Sequence, residues 1–464
     1  MTNNALILSS ISVLILGAYI ARKIFNEKLS KFISLVSVIL GVFLGITGLT
    51  FRYFENIGTN FLPLVFKNWD VFLVDSYAIL MAFVSSFVGL LIVIYSFGYM
   101  EHYERQKEYY FYVTLFIGAM LGLVFSGNLI ILYVFWEITS ICSWQLISFY
   151  RKNIHLSAGN KAFLVTFLGS ALMLIGISFI YKEYGTFNLS ELKGKQISDF
   201  VALLLLAGMI AKSSQIPFHI WLPEAGVAPT PVTALLHAAV LVKIGVYTFG
   251  RIFDFTFSVL PEIQITEVII SIVTILLAGF MALVETDIKR ILAYSTISQL
   301  GYIFLGFAAN VKVSILGAIF YIASHAFAKA GLFLSAGIVE HTTKERNIMK
   351  LGGLAETMPL TSISFLLCGF AIIGLPPFSG FWGKFFIIKG LIEKGYIAYS
   401  ILAVFGAILT LMYIMRVYNY TFLGEKKFEI KEHTKEMVII VVVLALVSLL
   451  IGIFPNLILS FVKF

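Results

Sequence analysis

Charge is scarce in this chain. Only 12% of its 464 residues are Asp, Glu, Lys or Arg, and 59% are hydrophobic. A soluble domain carries about 25% charged residues. Apolar runs long enough to cross a bilayer recur from end to end, which marks a multi-pass membrane protein. No hydrophilic stretch is long enough for a separate soluble domain, and the polar stretches 182–198 and 423–436 read as connections. Cysteine is nearly missing too. Cys142 and Cys368 lie inside apolar segments, without C-x-x-C spacing or a histidine pattern, so they read as small core residues rather than iron–sulfur or zinc ligands. Nucleotide, flavin and metal motifs are lacking, so no cofactor is expected. The first segment follows an uncharged start, MTNN, and precedes basic residues. A cleavable signal peptide has the reverse order, so this segment reads as a retained helix. The net charge of +8 sits mostly in short loops, as membrane topology requires, and is not a nucleic-acid signal.

What is present is a succession of apolar segments near 5–21, 32–51, 71–99, 110–126, 128–150, 158–181, 199–222, 230–253, 265–286, 290–311, 313–340, 358–392, 396–421 and 437–461. They predict an all-α membrane protein of about 14 transmembrane helices. Lys and Arg number 18 in the loops after odd-numbered segments and 10 on the other side. The positive-inside rule then places both termini outside the cytoplasm. Two segments are broken by proline, the seventh at Pro217 and Pro223 and the twelfth at Pro376 and Pro377. They lie five segments apart, and five is odd. A five-helix unit repeated once must therefore be inverted, with segments 4–8 and 9–13 as the two units. The expected divisions are 1–109, 110–253, 265–421 and 422–464.

The few charges inside the segments carry the functional argument. A charged side chain at membrane depth costs at least about 2.5–3.5 kcal/mol and rarely persists without a role. Lys212 and Lys384 each stand alone in a broken segment, where transporters place ion sites. Glu137, in ILYVFWEITSICSW, is the only acid well inside the fifth segment, and Lys212 is its natural partner. A buried ion pair that fixes packing is the plainer alternative. Lys243 and His237 are six residues apart, about 240° on a regular helix, and so face different ways. His237 could be a relay or a satisfied core histidine. His325 and Lys329, four apart, share a face and fit a proton wire, or hydrogen bonding between packed helices. His219 stands at a possible mouth of the path, although the stretch around it could simply shape a loop. Asp287 and Lys289 read as a solvated or capping pair at a turn. Arg416 is left without a role, and Asp75 is placed near the membrane interface.

WEITSICSWQLISFY, AKSSQIPFHIWLPEAGVAPTPVTALLHAAVLVKIGVY, DIKRILAYSTISQLGY, HAFAKAGLFLSAG and GLPPFSGFWGKFFI, in that order, resemble the antiporter-like membrane subunits of respiratory complex I. Related subunits occur in membrane-bound hydrogenases and multisubunit sodium/proton antiporters. The resemblance covers roughly residues 70 to 420. It implies two inverted five-helix repeats and two half-channels joined by a central polar axis. By position, Glu137 resembles the family's fifth-helix glutamate, Lys212 its seventh-helix lysine and Lys243 its bridging cation. His325 and Lys329 resemble the connecting groups, and Lys384 the terminal group of the twelfth helix. A lysine there resembles the distal complex I subunit. This sequence stops after its fourteenth segment, without that subunit's long lateral helix, and V-K-I-G-V-Y is similar to hydrogenase and antiporter relatives. The resemblance implies a non-catalytic, proton-translocating subunit of a redox complex. Its partners would be other membrane subunits, further antiporter-like subunits and a redox arm, with H⁺ and Na⁺ as candidate ions. A sodium/proton antiporter subunit is the alternative. Approach of Glu137 would favour the charged Lys212, and its withdrawal would pass the proton on towards Lys384.

Overall fold

A computed structural model describes residues 3–23, 27–54, 72–258, 261–430, 432 and 435–460. Lys67, Lys431 and Lys463, counted above for orientation, and the segment ends 71 and 461 lie outside these residues. The described chain is helical throughout, with only isolated bridges between extended residues. Its helices are α1 (Asn3–Lys23), α2 (Glu27–Phe54), α3 (Ser76–Tyr99), α4 (Gln106–Val124), α5 (Leu129–Ile147), α6 (Asn153–Tyr184) and α7 (Asp199–Lys212). There follow α8 (Thr230–Asp254), α9 (Pro261–Val284), α10 (Ile288–Ala308), α11 (Lys312–Thr343), α12 (Pro359–Ile373), α13 (Ser379–Glu393), α14 (Ile397–Phe422) and α15 (Lys435–Ile453). Nine of these are long and apolar enough to cross a membrane, among the described residues. The chain is a multi-span membrane protein.

Starts are set by capping side chains. Asn128 accepts from the N–H groups of Ile130 and Ile131 and opens α5, which places the division after Gly127. Asp75 caps α3 and Asp287 caps α10 in the same way. The interior is built on α8 and α11, whose apolar stretches are wholly buried. Around them α6 and α14 turn Leu164, Leu168, Ile401 and Ile408 outwards. Large apolar side chains on the outside and polar ones at the centre suit a solvent of lipid tails.

One loop geometry occurs twice. Leu129 N–H donates to the Phe187 carbonyl at 3.0 Å, and Leu189 N–H to that of Gly127 at 2.9 Å. In the second half Ile288 N–H donates to Arg346 at 2.9 Å, and Ile348 N–H to Thr286 at 3.0 Å. Asn128 and Asp287 stand 159 positions apart, and so do the bridge partners Asn188 and Asn347. Each bridge ties the start of one helix to the end of the next.

Two breaks follow at nearly the same offset. α7 stops at Lys212, and residues 213–227 continue as turns and single-turn helices. α12 stops at Ile373, and α13 begins at Ser379. A residue just past each helix end carries left-handed backbone: Ser214, two places after Lys212, at φ 54° and Gly374, one place after Ile373, at φ 91°, 160 positions apart.

Candidate functional site

The first break exposes the last carbonyls of α7, and three of them find donors. Ser213 N–H bonds to Met209, Gln215 N–H to Ile210, and the Trp221 indole to Ala211 at 3.0 Å. Lys212 is therefore not needed at its own helix end. Its fully buried ammonium crosses to α5, where it donates to Ser140 Oγ at 2.6 Å and the Trp136 carbonyl at 3.3 Å. It also lies 5.4 Å from the centre of the Trp136 ring.

The second break is satisfied differently. Phe370 takes both the Gly374 and the Leu375 N–H. The carbonyls of Ile372 and Ile373 are taken by Lys384, at 2.9 and 3.2 Å. Lys384 thus reaches back from α13 across the break to cap α12, which suits a cation at a helix C-terminus. Its ammonium sits 4.5 Å over the Tyr302 ring. Tyr321 holds Gln299 at 2.7 Å beside it.

Between the breaks lies a cluster on α8 and α11. Lys243 Nζ and His325 Nδ1 are 2.9 Å apart, both fully buried. Lys329 donates to Ser295 Oγ at 2.6 Å and to the Leu292 carbonyl at 3.2 Å on α10. His325 lies within electrostatic range of Lys243, Lys329, His237 and Lys384. His237 packs on Phe333 and has no hydrogen-bond partner on either ring nitrogen among the described residues.

The sequence candidates therefore fall into two groups. Glu137 and Lys212 form one; Lys243, His325, Lys329, His237 and Lys384 form the other. The groups meet where Ser213, next to Lys212, donates to the carbonyl of Val242, next to Lys243, at 2.8 Å. His219 belongs to neither: it is half-buried beyond the first break, and its carbonyl accepts from Ser214.

Several expectations need correction. Glu137 and Lys212 make no ion pair within 4.0 Å. The ammonium takes the carbonyl of the preceding residue instead, and one Glu137 carboxylate oxygen is buried without a partner. Lys212 and Lys384 do not occupy matching positions, since one precedes its break and the other follows. The regular-helix angle between His237 and Lys243 does not apply, because α8 is π-helical over Leu235–Ala239 and irregular at Val240. Asp287 and Lys289 are a capping pair through the Lys289 N–H, at 2.9 Å, and not a solvated ion pair. Asp287 caps α10 and meets Arg346 at 2.8 Å, while Lys289 is buried and meets Glu340 at 3.2 Å. Arg416 donates to the Glu285 carbonyl. Asp75 is held by the buried Arg251.

Sequence reading also passed over the residues that receive the lysines: Ser140, Ser295, Tyr302 and Tyr321. Ser295 and Gln299 in YSTISQLGY stand one helical turn apart on a buried face. A row of small polar residues in an apolar helix was the available signal.

At the turn after α11, the N–H groups of Arg346 and Asn347 both donate to Glu345, at 2.8 Å each. Those two bonds hold its carboxyl below the usual carboxylate range.

The model of the family described as "NADH:quinone oxidoreductase/Mrp antiporter, TM" matches residues 126–410. The chain belongs to that family. A second model, "NADH-Ubiquinone oxidoreductase (complex I), chain 5 N-terminus", matches residues 70–111. Among relatives, Na(+)/H(+) antiporter subunit A1 of Staphylococcus haemolyticus is 35% identical over 434 residues, covering 86% of this chain and 54% of that one. NADH-quinone oxidoreductase subunit L of Escherichia coli is 38% identical over 365 residues, covering 76% and 59%. The chain spans about half the length of the curated relatives it matches. In fold it is similar to a chain of the Mrp complex from Dietzia, with a TM-score of 0.90, 24% identity and coverage of 99% and 96%. A chain of the archaeal membrane-bound sulfane sulfur reductase gives 0.88, 22%, and 98% and 96%.

Proposed function

We propose that this antiporter-family chain is a proton-translocating membrane subunit of an ion-pumping redox complex, of complex I or membrane-bound hydrogenase type. The observation that carries this reading is four fully or almost fully buried lysines whose ammonium groups meet only neutral partners. Lys212, Lys243, Lys329 and Lys384 touch hydroxyls, carbonyls and one imidazole, and no carboxylate within 4.0 Å among the described residues. A buried structural ion pair would need its counter-ion. A lysine with neutral partners can release and regain a proton without stranding a buried carboxylate. The path runs from Glu137 and Lys212 through Lys243, His325 and Lys329 to Lys384, with His237 at its side and His219 as a mouth.

The doubled loop geometry supports two five-segment units, residues 110–253 and 265–421, flanked by 1–109 and 422–464. It supports the inverted arrangement within about 14 spans, and the excess of Lys and Arg in the loops after odd-numbered segments supports both termini on the non-cytoplasmic side of the cell membrane. Partners are further antiporter-like subunits and a redox arm, which supplies the energy. A second reading, a subunit of a multisubunit sodium/proton antiporter, is favoured by the Staphylococcus relative, which covers 86% of this chain.

The test is proton translocation by the assembled complex in vesicles. Lys212→Ala and Glu137→Gln should each abolish it while assembly survives. Normal pumping by either variant refutes the path. Pumping that needs sodium and no electron donor moves the chain to the second reading.

A further inference from the structure

Asp254 closes α8, and Glu267 stands on the second turn of α9. Glu267 is 3% exposed, and its Oε1 has no hydrogen-bond partner among the described residues; Asp254 Oδ2 is likewise buried without one. Both acids line the same small cavity with Gln264, Asn310 and the rings of Phe253 and Phe307. The cavity leaves about 10 Å³ to a water-sized sphere, which is room for one water or one small ion.

No cation nearby can neutralise this pair. Arg251, three residues before Asp254, spends its guanidinium on Asp75, at 2.5 and 2.9 Å, and on the Tyr247 hydroxyl. Lys312, just past Asn310, is exposed, and neither acid has a Lys or Arg within 4.0 Å among the described residues. Two carboxylates in one apolar-walled site cannot both stay charged without a counter-charge. The remaining polar groups are the side-chain amides of Gln264 and Asn310, whose oxygens suit a hard cation. Gln264 and Glu267, three apart on α9, share a face. Asn310 is held in left-handed backbone at φ 50°, a conformation asparagine tolerates.

We propose that Asp254 and Glu267 bind a monovalent cation of sodium's size, with Gln264 and Asn310 as neutral oxygen donors. The site lies apart from the lysine path and binds whether or not the chain moves protons. Its failure therefore leaves the proposed function untouched.

The experiment is thermal unfolding of the full chain in detergent, in sodium chloride and in choline chloride at equal ionic strength. Sodium should raise the wild-type midpoint by about 2 °C or more through binding linkage. Asp254→Asn and Glu267→Gln should each lose that response. Equal wild-type midpoints in the two salts overturn the proposal and leave the acids sharing a proton. A sodium response retained by both variants overturns it as well. Should a variant fail to fold, sodium-23 line broadening decides on the wild type. Broadening reversed by excess lithium supports the site, and an unchanged line overturns it.

Discussion

The first half of the bundle carries its lysine on the last residue of the helix before the break. The second half carries it well inside the helix that follows. The frame is shared: the bridges at 128/188 and 287/347 and the left-handed residues 214 and 374 stand 159 or 160 positions apart. On that frame, donors near the break, with the Trp221 indole among them, satisfy the end of α7 and free Lys212 to reach α5. Lys384 is itself the donor that finishes α12. One backbone device thus hosts a lysine that is spare to its own helix and a lysine that is part of it.

The largest contrast should appear when each lysine is removed. Lys384→Ala leaves the Ile373 carbonyl short of its donor, at roughly 1–3 kcal/mol for an unsatisfied buried group, while the Ile372 carbonyl keeps the Tyr321 hydroxyl at 3.5 Å. Lys212→Ala orphans less, since the Trp136 carbonyl still accepts from Thr139 at 2.6 Å. The thermal midpoint of the purified chain should fall further for Lys384→Ala. Equal falls would remove the distinction.

The next contrast lies at the breaks themselves. Gly374→Ala places a side chain at φ 91°, with its Cβ 3.1 Å from Lys384 Cδ, and should cost about 1 kcal/mol or more. Ser214→Gly, the matching change in the first half, relieves a left-handed backbone but gives up the bond to the His219 carbonyl, so it should cost less than Gly374→Ala. Chemical denaturation of both variants checks that order.

The smallest contrast is one of pH. Glu345 accepts the Asn347 N–H where Thr186 accepts that of Asn188 in the first half. Glu345 titrates below the usual carboxylate range, so its stabilisation is present above that range. It fades as pH falls through its own lowered value. Glu345→Gln should narrow the gap in midpoint between neutral and acid pH, and Thr186→Val should leave that gap alone.

Much of this was legible beforehand. Length and hydropathy marked the apolar segments because lipid permits little but helices, and isolated lysines stood out because burial penalises them. Asn128 and Asp287 were readable as helix starts from capping chemistry. The partners of the lysines were not. Charge complementarity pointed Lys212 to Glu137, but the ammonium took a serine and a carbonyl, which carry no charge to betray them. The π-helical stretch of α8, which packs against α3 and α11, likewise has no local pattern that marks it.

The most direct test concerns Lys243 and His325, the one side-chain contact between two path residues. Lys243→Gln keeps a donor for His325 Nδ1 and removes the group that can carry a proton. Proton uptake by vesicles holding the assembled complex should then vanish, with the thermal midpoint little changed. Uptake at the wild-type rate from this variant would contradict the account.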